Sequence, residues 1–247
     1  MAFTGTRVSE NTLYHVERLY TDEDFIITPN TNGTNSYKLK PELPSVALQG
    51  LLGPGDLKFQ DVNNDGIINT YDRIRGVGNP YNPEISYGFG LNFEYKRFYI
   101  NSFFQGTGNS SVVINQSGGN FAPFAWGYDK SSFRTLFLDR WTPENPSQNV
   151  VSPRLHSNNT TSISKEGSDW WLRNGSFIRF KNLEVGYNIP ENFLKKVKLQ
   201  TVRVYALGYN LAVWDDIKYW DPETGSDNGG MAYPLPRSIT FGVEVTF

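Results

Sequence analysis

The strongest candidate for chemistry in this sequence is a run of regularly spaced oxygen-bearing side chains between Asp61 and Asp72. Their spacing fits the template of a calcium-binding loop, in which a hard cation is surrounded by about six to eight oxygen atoms. Gly66 stands where such a loop must turn sharply. The predicted ligands are the side chains of Asp61, Asn63, Asp65, Asn69 and Asp72, together with the backbone carbonyl of Ile67.

A second interpretation of the same residues stays open. The last ligand position holds Asp72 rather than the usual bidentate Glu, as in dockerin-type loops, but those loops come in pairs and this sequence has a single copy. The residues also suit an Asx-rich turn that satisfies its own backbone. Ca²⁺ is the one cofactor that the sequence suggests, and we expect it to fix the loop rather than to act in catalysis.

Groups suited to catalysis are sparse. The two histidines, His15 and His156, stand in no triad or metal motif, and the absence of cysteine excludes thiolate catalysis and disulfides. Asp215-Asp216, Asp221 and Glu223 lie close in sequence, as the carboxylates of a glycosidase might, but they fall in a predicted loop. We predict that the protein is not an enzyme.

Composition limits the class of partner. The net charge of −2 argues against a nucleic-acid partner, which would require a basic face. Aromatic residues make up 15% of the chain, which suits interfacial girdles or a sugar-binding surface. No apolar run approaches the roughly 18 residues of a membrane helix, but strands that alternate apolar and polar residues keep mean hydropathy low as well.

The segment 238–247 has the alternation of a half-buried or membrane-facing strand. Its length of about ten residues matches a tilted transmembrane strand. Its end resembles the C-terminal assembly signal of bacterial outer-membrane barrels, carried by Thr240, Gly242, Val245 and Phe247. The apolar side chains Ile239, Phe241, Val243, Val245 and Phe247 would share one face.

Four further strands are predicted at 84–95, 98–106, 170–189 and 201–214, with a bulge near Lys181-Asn182. In the fourth of these, Tyr205, Leu207, Tyr209, Leu211 and Val213 are expected opposite Ala206, Gly208 and Asn210. The connections at 96–97 and 190–200 are short, and those at 107–168 and 215–237 are long, with a short helix predicted at 131–141. Short turns on one side and long loops on the other are the rule for outer-membrane barrels.

The fold class that follows is all-β: the C-terminal strands of a large antiparallel transmembrane β-barrel with long extracellular loops. We predict two regions. Residues 1–83 would form an extracellular loop region with the calcium-loop motif, and residues 84–247 would form barrel strands and loops. The short turns would face the periplasm.

Several stretches together resemble the C-terminal part of SusC-type (SusC/RagA-like) TonB-dependent outer-membrane transporters of the Bacteroidota. Each stretch is weak alone, and their order and spacing carry the resemblance. They are 54–66, Asp72-Arg73 with 78–80, 140–146, 177–190, 202–205, 210–214 and 220–223.

This resemblance implies a plugged barrel of the class with about 22 strands, located in the outer membrane of a Gram-negative cell. Family members import oligosaccharides or peptides. The implied partners are a SusD-like lipoprotein that caps the outer face, TonB acting through an N-terminal part that we do not find in this sequence, and outer-membrane lipid.

The sequence departs from the family in lacking a signal peptide, a plug and the early strands, and about five strands cannot close a barrel. We therefore expect a fragment that does not transport anything by itself. The alternative function is a soluble secreted β-rich module that binds calcium or glycans. Four roles stay open for the loop aromatics: to stack on sugars, to contact a lid protein, to pack the loops or to sit at the membrane interface. These residues are Trp126, Tyr128, Trp170, Trp171, Tyr219 and Trp220.

Overall fold

The computed structural model describes residues 5–114, 134–156, 162–225 and 232–247. Trp126 and Tyr128 lie outside these ranges, as does the first part of the helix predicted at 131–141. The described part of that segment has one turn of 3-10 helix at Thr135–Leu138. No helix among the described residues is long and apolar enough to cross a membrane.

Short strands dominate the first half of the described chain, and long strands dominate the second. The strands are β1 Thr12–Leu13, β2 Val16–Leu19, β3 Phe25–Pro29, β4 Asn35–Leu39, β5 Ser45–Val46, β6 Leu57–Phe59, β7 Ile67–Ile68, β8 Ile74–Arg75, β9 Ile85–Tyr95, β10 Phe98–Gly108, β11 Ser111–Val113, β12 Leu172–Asn174, β13 Phe177–Asn188, β14 Thr201–Asp215 and β15 Ser238–Thr246. The described α-helix, α1, covers Glu191–Leu194.

Contacts between Cα atoms divide the chain into two compact units. The first unit combines Met1–Tyr81 with Val112–Arg173 and Gly225–Ala232. The second combines Asn82–Ser111, Asn174–Thr224 and Tyr233–Phe247.

The first unit is built from two-stranded sheets around an apolar core. The pairs are β1 with β8, β2 with β6, β3 with β4, β5 with β7 and β11 with β12, and β5 and β7 are parallel. Such short pairs are not stable alone, so the packing of side chains from distant segments holds them together. The buried core comprises Tyr14, Leu19, Tyr20, Phe25, Leu57, Phe59, Ile68, Trp141, Val150 and Ile163.

A partly buried ion pair orders the turn between β2 and β3. Arg18 donates two hydrogen bonds of 2.7 Å to the carboxylate of Asp24, and the backbone N–H of Thr21 donates a third, at 2.8 Å. Burial alone would raise the pKa of Asp24, but the bonds from Arg18 and Thr21 outweigh burial and hold that pKa below its ordinary value. The ionised carboxylate is therefore the form that fits this turn.

The second unit is an antiparallel five-stranded sheet in the order β15-β14-β13-β10-β9. The five predicted strands are confirmed, with one difference: the strand predicted at 170–189 is divided into β12 and β13, and β13 begins at Phe177. The predicted bulge is also confirmed, because the pairing of β13 with β14 shifts between Phe180 and Asn182. The sheet is a simple up-and-down meander and does not close on itself within the described residues.

The predicted alternation of β14 is confirmed, and its pairing with β15 shows which set of side chains joins the apolar face. Val204 lies opposite Val243, and Ala206 lies opposite Phe241, so these small side chains share the apolar face of β15. Tyr205 lies opposite Gly242 and shares the other face. The sequence is ambiguous here because both faces of β14 carry apolar side chains, and the neighbouring strands decide which set joins the apolar face.

Gly55 offers a direct test of the core packing in the first unit. Its φ is +87°, and a Cβ atom there would lie 2.3 Å from Trp141 Cδ2. Gly33 has a similar φ of +78° but has nothing within 4 Å of a Cβ. We expect Gly33→Ala to lower the free energy of unfolding of this unit by about 1 kcal/mol from backbone strain alone. We expect Gly55→Ala to lower it by at least about 3 kcal/mol, because the indole must also move.

Chemical denaturation followed by tryptophan fluorescence would measure both variants. Equal losses for Gly33→Ala and Gly55→Ala would contradict the close packing of Trp141 on Gly55.

Candidate functional site

One face of the five-stranded sheet is apolar from edge to edge. Pairing carries this face across the strands: Phe93 lies opposite Ile100, which lies opposite Val185. Val185 lies opposite Ala206, which lies opposite Phe241. The face comprises Ile85, Tyr87, Phe89, Leu91, Phe93, Tyr95, Phe98, Ile100, Ser102, Phe104, Gly106, Gly108, Ile178, Phe180, Leu183, Val185, Tyr187, Val202, Val204, Ala206, Gly208, Ala212, Trp214, Ile239, Phe241, Val243 and Val245.

These apolar side chains are exposed rather than packed. Leu91 is 64% exposed, Phe241 is 80% exposed and Val243 is 64% exposed. Phe104 stacks between Phe89 and Phe180 with ring centroids 5.0 and 4.6 Å apart, which makes a continuous aromatic strip. No Asp, Glu, Lys or Arg lies on this face of the described sheet. A patch of this size on a soluble protein marks a surface that something apolar covers.

The opposite face of the sheet is polar and connected by ion pairs. Arg203 lies 2.8 Å from Glu244 and 3.5 Å from Glu184. Glu184 accepts a hydrogen bond of 2.7 Å from the hydroxyl of Tyr99. The guanidinium of Arg203 also lies 5.0 Å from the ring centroid of Tyr205. Strict separation of a charged face from an uncharged apolar face is the pattern of a barrel wall between lumen and lipid.

Two glycines on the polar face make room for aromatic rings. A Cβ on Gly186 would lie 2.2 Å from the ring of Tyr99, and one on Gly242 would lie 2.4 Å from the ring of Tyr205. Among the predicted assembly-signal residues, Gly242 therefore has a visible packing role beside Tyr205. Of the others, Thr240 lies opposite Leu207, Val245 lies opposite Val202, and Phe247 follows the strand and is 83% exposed.

A groove of about 460 Å³ runs along the middle of the polar face. The side chains of Asn92, Asn101 and Asn182 line it from three different strands, with Phe103, Tyr209 and the carboxylate of Glu184 beside them. Carboxamides both donate and accept hydrogen bonds, and aromatic rings offer flat apolar surfaces. This combination suits polar molecules such as sugars or peptide backbones.

Arg179 fastens the segment after β14 onto the polar face. Its side chain is 3% exposed and lies 2.5 Å from Asp221 Oδ1 and 2.8 Å from Glu223 Oε1. Lys181 adds a contact of 3.1 Å to Glu223. Asp221 and Glu223, which the sequence offered as a carboxylate pair, are therefore engaged with cations. Asp216 is engaged elsewhere, accepting a hydrogen bond of 2.9 Å from Asn174.

The predicted calcium loop forms a compact turn in the first unit. Gly66 N–H donates to Asp61 Oδ2 at 2.8 Å, and the N–H of Asp65 donates to Asn63 Oδ1 at 3.0 Å. Gly66 has a φ of +80°, as the sharp turn requires. Ile67 N–H donates to Asp65 Oδ1 at 2.8 Å. Four of the predicted ligand positions thus converge on one turn.

Asp72 closes that loop from beneath. It is fully buried, and its two carboxylate oxygens accept hydrogen bonds from Val62 N–H at 2.9 Å and Asn69 N–H at 2.8 Å. Asp61 Oδ1 is shielded from solvent and has no hydrogen-bond partner among the described residues. No group of three or more His, Asp or Glu side chains in the described ranges gathers tightly enough to hold a metal ion by itself.

The two histidines pair with carboxylates that sequence reasoning did not connect to them. His156 Nε2 lies 2.7 Å from Oδ1 of the fully buried Asp56. Burial raises the pKa of Asp56, and the bond to His156 offsets part of that effect. His15 Nδ1 lies 2.5 Å from Asp169 Oδ2. Each pair joins segments more than 90 residues apart in sequence, so no local motif could reveal it.

The sheet and its two faces define the class of protein. An up-and-down antiparallel sheet with a continuous uncharged outer face and a charged inner face is the wall of an outer-membrane-type β-barrel. Solved structures support this fold. The chain is similar to the RagAB peptide transporter with a TM-score of 0.60 and 22% identity over 91% of this chain and 24% of that one. It is also similar to the RagAB peptide importer in the open-open state, with a TM-score of 0.57 and 17% identity over 100% of this chain and 25% of that one.

Relatives found by sequence comparison indicate which kind of outer-membrane-type protein this chain is similar to. TonB-dependent receptor P26 of Formosa agariphila is 30% identical over 244 residues, which cover 93% of this chain and 23% of the relative. TonB-dependent receptor P3 of the same organism is 31% identical over 82% of this chain and 20% of the relative. TonB-dependent receptor SusC of Bacteroides thetaiotaomicron is 26% identical over 78% of this chain and 18% of the relative. No protein-family model matches the chain.

The chain is a homologue of the TonB-dependent receptors, the family that includes SusC. It spans about a fifth of the length of the curated relatives that it matches. These relatives are named as receptors and the structural neighbours as transporters.

The Arg179 cluster provides a test of how the polar face holds its loop. We expect Arg179→Met to speed proteolytic cleavage within residues 216–225 by at least about tenfold in detergent, because it leaves two carboxylates without their buried cation. The triple variant Arg179→Met/Asp221→Asn/Glu223→Gln should recover most of the protection. Arg237→Met, at an exposed position, serves as the control and should change the rate less than about twofold. Unchanged cleavage in Arg179→Met would show that the ion pairs do not hold the segment.

Proposed function

We propose that this chain forms part of the barrel wall of a TonB-dependent transporter in the outer membrane of a Gram-negative cell. The transporter imports oligosaccharides or peptides. The observation that carries the proposal is the exposed, uncharged apolar face of the five-stranded sheet, which stands opposite a charged face.

The backbone hydrogen bonding of this sheet supports the proposal that the sheet lies in the lipid bilayer. Strands of 9 to 15 residues are paired with one another along their length, so the interior strands leave few peptide groups to be satisfied by water. Strands of that length match the tilted span of a bilayer. In water the same face would expose large rings such as Phe89, Phe93 and Phe241 at an unfavourable free energy.

The polar face supports a transport role for polar substrates. The groove between Asn92, Asn101 and Asn182 offers carboxamides and aromatic rings to a sugar or a peptide. The names of the structural neighbours, a peptide transporter and a peptide importer, favour peptides among the two classes.

The proposed partners follow from the family. A SusD-like lipoprotein would cap the outer face, as the homology to SusC suggests. TonB would supply the energy for import in the whole transporter. The long connections after β10 and β14 would face outward, and the short connections after β9 and β13 would face the periplasm.

Adjacent positions on β15 test the assignment of the two faces. We expect Phe241→Arg to reduce the folded, membrane-integrated fraction of the chain at least about thirtyfold, because a cation in the lipid-facing middle of a strand costs about 2–4 kcal/mol. Thr240→Arg adds the same charge on the polar face of the same strand and should reduce that fraction less than about threefold. Refolding from urea into phosphatidylcholine vesicles, followed by flotation and protease protection, measures the fraction.

Equal effects of the two arginines would contradict the facing. A chain that stays monodisperse in buffer and never associates with vesicles would overturn the membrane proposal in favour of a soluble calcium-binding or glycan-binding module.

We further propose that the loop from Asp61 to Asp72 binds Ca²⁺ and fixes the turn in which it lies. The unpartnered and shielded Asp61 Oδ1 supports this proposal, since a buried carboxylate oxygen without a donor is costly unless a cation neutralises it. The groups that would hold the ion are the side chains of Asp61, Asn63, Asp65, Asn69 and Asp72 and the carbonyl of Ile67. Asp72 would have to release one of its backbone donors to take part.

Calcium binding predicts a specific loss in one variant of the loop. Ca²⁺ at about 100 times its Kd should raise the free energy of unfolding of the first unit by about 2.7 kcal/mol in the native chain. Asp65→Ala removes a predicted ligand and should abolish the calcium-dependent increment. Thr70→Ala, at an exposed position in the same loop, should keep it.

Thermal unfolding with and without Ca²⁺, and with Mg²⁺ as the ion control, measures the increment. The absence of any increment in the native chain would leave the Asx-rich turn as the role of this loop.

A further inference from the structure

The end of the sheet that carries the short connections is rich in exposed cations. The turn between β9 and β10 contributes Lys96 and Arg97, and the connection between β13 and β14 contributes Lys195, Lys196 and Lys198. Antiparallel pairing brings both connections to one end of the sheet: Asn188 N–H donates to Arg97 O at 3.0 Å. We call these five residues the basic rim.

The cations of the basic rim are available to a partner. All five residues are exposed. Lys195 lies 3.7 Å from Glu191, but both side chains are 74% exposed, so water weakens this pair. Lys96 lies 5.1 Å from the ring centroid of Tyr95, and its charge still faces solvent. In the part of the chain that the structure describes, Lys196 and Lys198 have no ion pair within 4.0 Å.

Aromatic side chains border the basic rim. Phe193 is 65% exposed and stands on the same short connection as the three lysines. Tyr95 and Phe98 flank the turn that holds Lys96 and Arg97, and the ring of Phe98 packs on Tyr187 with centroids 4.6 Å apart. Exposed rings beside long cationic side chains, at the limit of an apolar band, suit the boundary between hydrocarbon and headgroups.

The other end of the sheet differs in charge. Its exposed or half-buried acidic residues include Glu84, Asp215 and Asp216, with Lys218 and Arg237 as the exposed cations of the same loops. Exposed acidic residues also stand near the rim, namely Glu94, Glu191 and Glu244, but the end with the short connections has five exposed cations against two in the described loops of the other end.

We propose that the basic rim binds the phosphate groups of anionic phospholipids at one surface of the bilayer. This proposal rests on the membrane location proposed above. Long lysine and arginine side chains reach outward from an apolar surface to the headgroup layer, where anionic lipids attract each cation. A lipid is favoured over a soluble phosphate compound because the rim continues directly into the exposed apolar face through Tyr95 and Phe98. In the proposed orientation this is the periplasmic leaflet.

Vesicle flotation tests the proposal with the full chain. The chain is diluted from urea into vesicles of phosphatidylcholine alone, or of phosphatidylcholine with phosphatidylglycerol, at equal total lipid and low salt. We expect the anionic vesicles to raise the apparent partition coefficient at least about tenfold, since each cation near an anionic surface contributes about a factor of five. The enhancement should fall steeply between about 0.05 and 0.5 M salt.

Two variants with the same change in net charge separate the effect of the rim on vesicle binding from the effect of overall charge. Lys195→Gln/Lys196→Gln/Lys198→Gln should lose at least about nine-tenths of the enhancement on anionic vesicles and keep its binding to neutral ones. Lys38→Gln/Lys218→Gln/Arg237→Gln removes three exposed cations that are not part of the rim and should keep the enhancement. Equal losses in the two variants would overturn the rim as the site, because net charge would then explain the attraction.

The outcomes also separate this inference from the membrane proposal. Equal binding to neutral and anionic vesicles would overturn the headgroup contact and leave the membrane location standing. No binding to either vesicle would overturn both the headgroup contact and the membrane location.

A single cysteine placed by Asn192→Cys gives a second measurement, because the chain has no other cysteine to label. A polarity-sensitive dye there should respond to anionic lipid in the native background and not in the triple-lysine variant.

Discussion

The ladder of backbone hydrogen bonds from β9 to β15 is the constraint on which the second unit depends. Each strand must pair in one register, and that register decides which side chains share a face. A shift of β14 by one residue would turn Tyr205 toward the apolar face. It would also turn Val204 toward the polar face, beside Glu184 and Glu244. The bulge between Phe180 and Asn182 is part of the same constraint, because it keeps Phe180 on the apolar face and Arg179 on the polar one.

The polar face accommodates charged side chains because strand pairing brings side chains of opposite charge next to one another. Glu184, Arg203 and Glu244 come from three neighbouring strands and meet only in the paired sheet. Arg179 likewise reaches Asp221 and Glu223 only after the chain has turned back over β13. Arg179, which is buried, and Arg203, which is partly exposed, therefore each have carboxylates nearby, which lowers the cost of removing charge from water. The apolar face needs no such pairs, so it is free to meet hydrocarbon.

The first unit obeys a different constraint, since none of the strand pairs among its described residues exceeds five residues a strand. Its order comes from a core assembled from distant segments and from buried or partly buried polar pairs such as Arg18 with Asp24 and Asp56 with His156. The proposed calcium loop sits at the edge of this arrangement, where Asp72 is buried and Asp61 Oδ1 lacks a donor. An ion there would act on the stability of this unit.

The sequence by itself determined the five long strands, the bulge, the alternation of β9 and β15 and the family, because these depend on neighbours two residues apart or on local motifs. Only the tertiary structure decided the facing of β14, where both faces carry apolar residues and the partners Val243 and Gly242 choose between them. It alone showed that Val112–Arg173 packs with residues 1–81 in one unit, and that His156 reaches Asp56. Burial and pairing between segments a hundred residues apart depend on the whole packed chain, and no local pattern encodes them.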